Sequence, residues 1–130
     1  MQLISYVDSD WACDHQDRKS TTGYCNFLGQ TLISWSVKKQ STIARSSAEA
    51  EYCALASATT EIIWLRQLLQ ELGNEQKAPT TLYCDNTSAI SLAHNPVYHA
   101  RTKHIEVDYH FIQNCIKDKT IQVQHISSKD

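Results

Sequence analysis

The sequence predicts an α/β chain built on a mixed sheet, and three observations carry that prediction. Five short β-branched or aromatic runs alternate polar and apolar residues, two long stretches have helical apolar spacing, and the order changes from hairpin-linked strands to strands separated by helices. Strands joined by tight turns pair antiparallel, whereas strands entered through helical crossovers pair parallel, so the sheet is expected to be mixed.

The elements follow in order. Residues 2–8 (QLISYVD) read as a strand. Residues 22–28 and 31–37 flank Gly29-Gln30, a two-residue connection suited to a hairpin. Ser46-Ser47-Ala48-Glu49 fits a capping box, with Ser46 as N-cap and Glu49 three residues on. The helix it opens carries an apolar stripe of Leu55, Ala58, Ile62, Leu65 and Leu69, and Gly73-Asn74 stops it. Trp64 and Leu68 lie on another side, which predicts contact with a second helix. After Pro79, residues 80–84 form a strand. A short helix is expected from Asn86 to just before Asn95-Pro96, a longer one over 103–116, and a last strand over 120–126.

Bulk properties narrow the function classes. The chain has 130 residues, enough for one core, with 42% hydrophobic and 20% charged residues and few Gly and Pro. Residues 1–130 are therefore expected to form one domain. No basic n-region or apolar run of about 18 residues marks a signal peptide or a membrane span. The five cysteines (Cys13, Cys25, Cys53, Cys84 and Cys115) are scattered with no C-x-x-C pair, which points to reduced thiols inside the cell, mostly as small core residues, and away from a zinc site. Net charge is −2, yet no acid occurs from Arg18 through Ala48, where Arg18, Lys19, Lys38, Lys39 and Arg45 concentrate positive charge among many Ser and Thr. Charge alone leaves open a phosphate-binding surface or a solvated hairpin.

Three acids stand where open α/β sheets bind ligands. Asp8 ends the first strand and Asp85 the fourth, so parallel neighbouring strands bring them together. Glu51 lies about 40° from Leu55 around the helix, facing the sheet, while Glu49 lies about 120° away and has a capping role. A carboxylate on a core-facing stripe is costly unless paired, and a metal shared by Asp8, Glu51 and Asp85 would satisfy it. All-oxygen ligation suits two Mg²⁺ ions, or Mn²⁺, about 4 Å apart, a centre for phosphodiester hydrolysis. Ordinary strand-end and helix-end acids are the alternative on spacing alone. Asp10 shares a strand face with Asp8 and reads as an extra ligand or a turn residue.

Six ordered segments resemble one family. YVDSDWA (6–12), DRKSTTGY (17–24), ISWSVKKQ (33–40), RSSAEAEY (45–52), YCDN (83–86) and RTKHIE (101–106) are similar to the ribonuclease H domain of copia-type LTR retrotransposon polyproteins. The resemblance implies a ribonuclease H-like fold, a five-stranded mixed sheet flanked by helices. It implies Mg²⁺-dependent hydrolysis of the RNA strand of RNA–DNA hybrids during reverse transcription, leaving a 3′-hydroxyl and a 5′-phosphate, with Asp8, Glu51 and Asp85 as the catalytic acids. The partners implied are the hybrid and a reverse transcriptase domain of the same polyprotein, in a cytoplasmic virus-like particle or the nucleus. Arg18, Lys19, Lys38, Lys39 and Arg45 then become candidate contacts to the hybrid, with Ser46, Asn86, Arg101, Lys103 and His104 as further ones.

Three departures from the family pattern accompany the match. The family continues into a helix that opens with a fourth acid, so the chain is expected to stop short of that helix. Glu106 and Asp108 stand where Asp and a basic residue are usual, and Cys13 replaces a Gly. A decayed or domesticated fragment that folds and binds nucleic acid without cutting it is the alternative reading. His125 is expected in the last strand near a loop where the family carries a mobile histidine. Trp11, Trp35 and Trp64 are expected to pack rather than stack on bases.

Overall fold

The structure, a computed structural model, describes residues 1–10, 19–41, 43, 47–85 and 103–126. The elements are β1 (Leu3–Asp10), β2 (Thr21–Leu28), β3 (Thr31–Lys39), α1 (Ser47–Glu71), β4 (Thr80–Cys84), α2 (Lys103–Lys117) and β5 (Ile121–His125). One sheet holds all five strands in the order β3-β2-β1-β4-β5. β1–β2 and β2–β3 pair antiparallel, while β1–β4 and β4–β5 pair parallel, the expected mixed sheet. The short helix expected after Asn86 falls outside the described residues.

Alternation decides which sheet face is covered. Leu3, Val7, Leu82, Cys84, Ile121 and Val123 point to one side and are buried beneath the two helices. The whole predicted stripe of α1, Leu55, Ala58, Ile62, Leu65 and Leu69, is at most 7% exposed. Ala50, Ala54 and Ala58 are fully buried, and side chains that small let the helix lie close on the strands. The chain turns back from β2 to β3 at Gly29, whose φ of 62° is a left-handed conformation that costs a Cβ-bearing residue more.

Two strands run further than their local composition predicts. β1 continues to Asp10 and β3 to Lys39, because Asp10 pairs with Thr21 and Thr21 with Lys39. Ladder pairing with β2 outweighs the polar, turn-like character of these ends. Asp8 is thus two residues before the end of its strand.

The two helices meet, as predicted, but over only part of α1. Tyr52 stacks on Tyr109 with ring centroids 6.4 Å apart, and Asp108 bonds Cys53. Trp64 and Leu68 lie about 120° and 160° round α1 from Tyr52 and are 57% and 36% exposed. The packing expected for the tryptophans is corrected: Trp64 is exposed beside Tyr24 and Lys38, and Trp35 on edge strand β3 is 68% exposed. Trp11 lies outside the described residues.

No helix among the described residues is long and apolar enough to cross a membrane. Cys84 and Cys115 are buried, Cys25 and Cys53 half-buried, and no disulfide joins them.

Candidate metal centre

The register of the parallel pair builds the site. Val7 of β1 stands opposite Cys84 of β4, which brings Asp8 level with Asp85. Glu51, in the second turn of α1, is 3% exposed and reaches the same end of the sheet from the covered side. A carboxylate oxygen of Glu51, the Cys84 sulfur and a carboxylate oxygen of Asp85 lie within 4.8 Å of one another. Asp8 is exposed and stands outside that tight group, yet its charge acts on Glu51.

Ser9 holds the carboxylates in relation to one another. Its hydroxyl donates to Glu51 Oε2 at 2.8 Å, and its backbone N–H is shared between Glu51 Oε2 (3.1 Å) and Asp8 Oδ1 (2.8 Å). The thiol of Cys84 donates to the other oxygen, Glu51 Oε1, at 3.7 Å. Burial pushes the Glu51 carboxyl up to about 7. The Ser9 hydrogen bonds oppose the rise, the charges of Asp8 and Asp85 add to it, and the Cys84 thiol opposes it again.

These features fit a divalent cation. A buried carboxylate with two more acids nearby is costly as an anion, and a bound cation reverses that cost. Asp8, Glu51 and Asp85 supply the hard oxygen donors that Mg²⁺ and Mn²⁺ take. The cysteine sulfur is the one donor that does not belong to that set.

Sequence reasoning selected Glu51 over Glu49, and the structure places Glu51 in the buried cluster. It missed Ser9 and Cys84. Both were findable by period two: Ser9 shares the inward side with Leu3, Ser5 and Val7, and Cys84 with Leu82.

The positive residues are only partly described. Lys38 and Lys39 are exposed at the end of β3, and Lys19 is half-buried. Lys38 and Lys39 line a groove of about 460 Å³ with Thr22, Ser57 and Thr60. Asp108 of α2 lines the same groove, and burial, with Asp108 adding to it, pushes the Cys53 thiol up to about 12. Arg18, Arg45, Ser46, Asn86 and Arg101 lie outside the described residues. For Lys103 and His104 only the backbone is described, in the first turn of α2. His125 is in β5 as expected, exposed and in register with Cys84.

No protein-family profile matches the chain. It is, however, 47% identical over all 130 residues to the retrovirus-related Pol polyprotein from transposon RE2 of Arabidopsis thaliana, and 46% identical over 128 residues to that from transposon TNT 1-94 of Nicotiana tabacum. The chain is a homologue of one segment of the transposon Pol polyproteins. It spans about a tenth of their length, 9% and 10% respectively.

Solved structures agree on the architecture of this Pol segment. It superposes on LC11-RNase H1 in complex with an RNA/DNA hybrid with a TM-score of 0.68 at 13% identity, covering 98% of this chain and 87% of that one. On the prototype foamy virus protease–reverse transcriptase the TM-score is 0.69 at 15% identity, covering 98% of this chain and 17% of that one. The Pol segment has the ribonuclease H fold.

Proposed function

We propose that this chain is the ribonuclease H domain of a copia-type retrotransposon polyprotein, an endonuclease that hydrolyses the RNA strand of RNA–DNA hybrids. The observation that carries the reading is the buried Glu51 carboxylate clustered with Asp85 and under the charge of Asp8, at the end of a parallel strand pair in a ribonuclease H fold. Homology to Pol polyproteins supports the setting, an intracellular one beside a reverse transcriptase domain in the same polyprotein.

In this reading Asp8, Glu51 and Asp85 hold Mg²⁺, with Mn²⁺ as a substitute. Bound there, Mg²⁺ would activate the attacking water and neutralise charge building on the scissile phosphate. The chain's own residues do the positioning. Ser9 fixes Glu51 Oε2 through two donors, which leaves Oε1, held only by the long Cys84 thiol contact, to meet a cation. Lys19, Lys38, Lys39 and the cations Arg18, Arg45, Arg101 and Lys103 grip the hybrid backbone, with Ser46, Asn86 and His104 as neutral contacts.

The test is cleavage of a labelled hybrid with Mg²⁺ or Mn²⁺, by the chain alone and by the chain extended with its downstream polyprotein sequence. Cleavage by the extended form, lost in Asp85→Asn, is the expected result. Absence of cleavage in both forms overturns the enzyme reading and leaves a hybrid-binding, non-cutting fragment, which a binding titration would then measure. Glu51→Gln should also abolish cleavage, whereas Glu49→Gln should retain it; the reverse pattern overturns the assignment of the helix acid.

A further inference from the structure

The donor that the oxygen-seeking ion leaves unused is the Cys84 sulfur. It is fully buried, 3.7 Å from Glu51 Oε1, and Glu51 is itself only 3% exposed. The half-buried Asp85 supplies a third donor atom within 4.8 Å of both. A tetrahedral zinc site with Zn–S of about 2.3 Å and Zn–O of about 2.0 Å has a sulfur–oxygen edge of about 3.5 Å. The observed separation is close to that edge, so one cation could touch both atoms with little movement.

We infer that Glu51, Cys84 and Asp85 form a mixed sulfur–oxygen site for a thiophilic divalent cation of the Zn²⁺ and Cd²⁺ class, overlapping the Mg²⁺ centre and excluding catalysis when filled. On binding, the Cys84 S–H bond breaks, its proton leaves to solvent, and a metal–sulfur bond replaces the hydrogen bond to Glu51. No oxidation or reduction takes place. Three protein donors leave a fourth position open. Softness and the order of divalent affinities favour Zn²⁺ over Mg²⁺ at such a donor set. No C-x-x-C pair is needed, because the second and third ligands are carboxylates distant in sequence.

The mixed site shares Glu51 and Asp85 with the function proposed above but does not depend on its activity, and the test reads binding directly. Cd²⁺ is titrated into the reduced 130-residue chain, kept reduced with a reductant that has no thiol, and the ultraviolet sulfur-to-cadmium charge-transfer band is followed. One equivalent should produce the band. Cys84→Ala should abolish it and weaken binding at least tenfold, and Asp85→Asn should weaken binding while the band survives at saturation. Cys25→Ala and Cys53→Ala should keep the native titration.

Cys84→Ser preserves size and a donor to Glu51, so it serves if the alanine variant does not fold; it too should lose the band. A band that persists in a folded Cys84 variant, or no band in the folded native chain, overturns the site. A chain that binds Cd²⁺ in this way yet cleaves no hybrid leaves the site standing and removes only the proposed activity. Cleavage with Mg²⁺ and no cadmium band does the opposite.

Discussion

Glu51 is an acid whose surroundings penalise its own charge. The folded chain holds its proton up to about pH 7, whereas a glutamate ordinarily gives it up near 4.5, so between those values the folded state binds more protons than the unfolded one. Stability of the metal-free chain should therefore fall as pH rises from about 4.5 to about 7 and stay lower above that. Glu51→Gln should flatten the profile and raise metal-free stability at pH 8 by about 2 kcal/mol, a figure discounted for the solvent that reaches the site. Denaturant midpoints at pH 5 and pH 8 measure this. A native profile as flat as that of the variant would show that the carboxylate is not held uncharged. Saturating Mg²⁺ or Mn²⁺ should remove the pH 8 deficit of the native chain, because the cation favours the ionised form.

At the scale of elements, the ends of the two helices are built alike but filled differently. After α1, Asn74 N–H bonds Leu69 C=O and Gly73 N–H bonds Gln70 C=O, with Gly73 at φ 87°. After α2, Thr120 N–H bonds Cys115 C=O and Lys119 N–H bonds Ile116 C=O, with Lys119 at φ 65°. Both are Schellman ends, and only the second places a side chain in the left-handed region. Lys119→Gly should raise stability by about 0.5–1 kcal/mol, and Gly73→Ala should lower it by about 1 kcal/mol, both read from thermal or denaturant midpoints.

The connection from α1 to β4 has its own clamp. Arg66 donates to the carbonyls of Gln76 (2.8 Å) and Ala78 (2.9 Å) and to Thr80 Oγ1 (3.0 Å). Gln76 in turn accepts from Leu3 N–H and donates to the Met1 carbonyl. The clamp thus ties the edge of the loop to the first residues of β1. Arg66→Ala leaves those carbonyls without their charged donor and should cost about 2 kcal/mol. A cost below about 0.5 kcal/mol would mean that water replaces the guanidinium there.

At the scale of the molecule, the proposed grip on a hybrid is electrostatic and so depends on salt. Lys38 and Lys39 lie on one groove, and removing one cation that neutralises a phosphate should reduce the slope of log affinity against log salt by about 0.9. Lys38→Ala with Lys39→Ala should lower the slope by about 1–2 and weaken hybrids of any sequence alike, measured by fluorescence anisotropy across a salt series. A pair of substitutions that leaves slope and affinity unchanged would place the hybrid elsewhere. Asp108 in the same groove as the lysines repels phosphate, so Asp108→Asn should strengthen binding modestly in the same assay.

The order of the described strands and helices, the covered face of α1 and the core-facing position of Glu51 were legible in the sequence. Each depends on a period within one element, 2 for a strand and 3.6 for a helix, and a period is a local property. Tertiary structure decided what lay between elements. The full lengths of β1 and β3 came from pairing with β2, and the exposure of Trp35 came from its place on the sheet face shared with Tyr6 and Cys25, away from α1. The meeting of Ser9, Glu51 and Cys84, 42 and 33 residues apart, came from the register of two strands beneath a helix. The sequence therefore determined that Asp8 and Asp85 stand near strand ends and that Glu51 faces the core. Only the fold decided that a serine would hold one of them and that a buried thiol would sit beside it, because no local pattern specifies which elements touch.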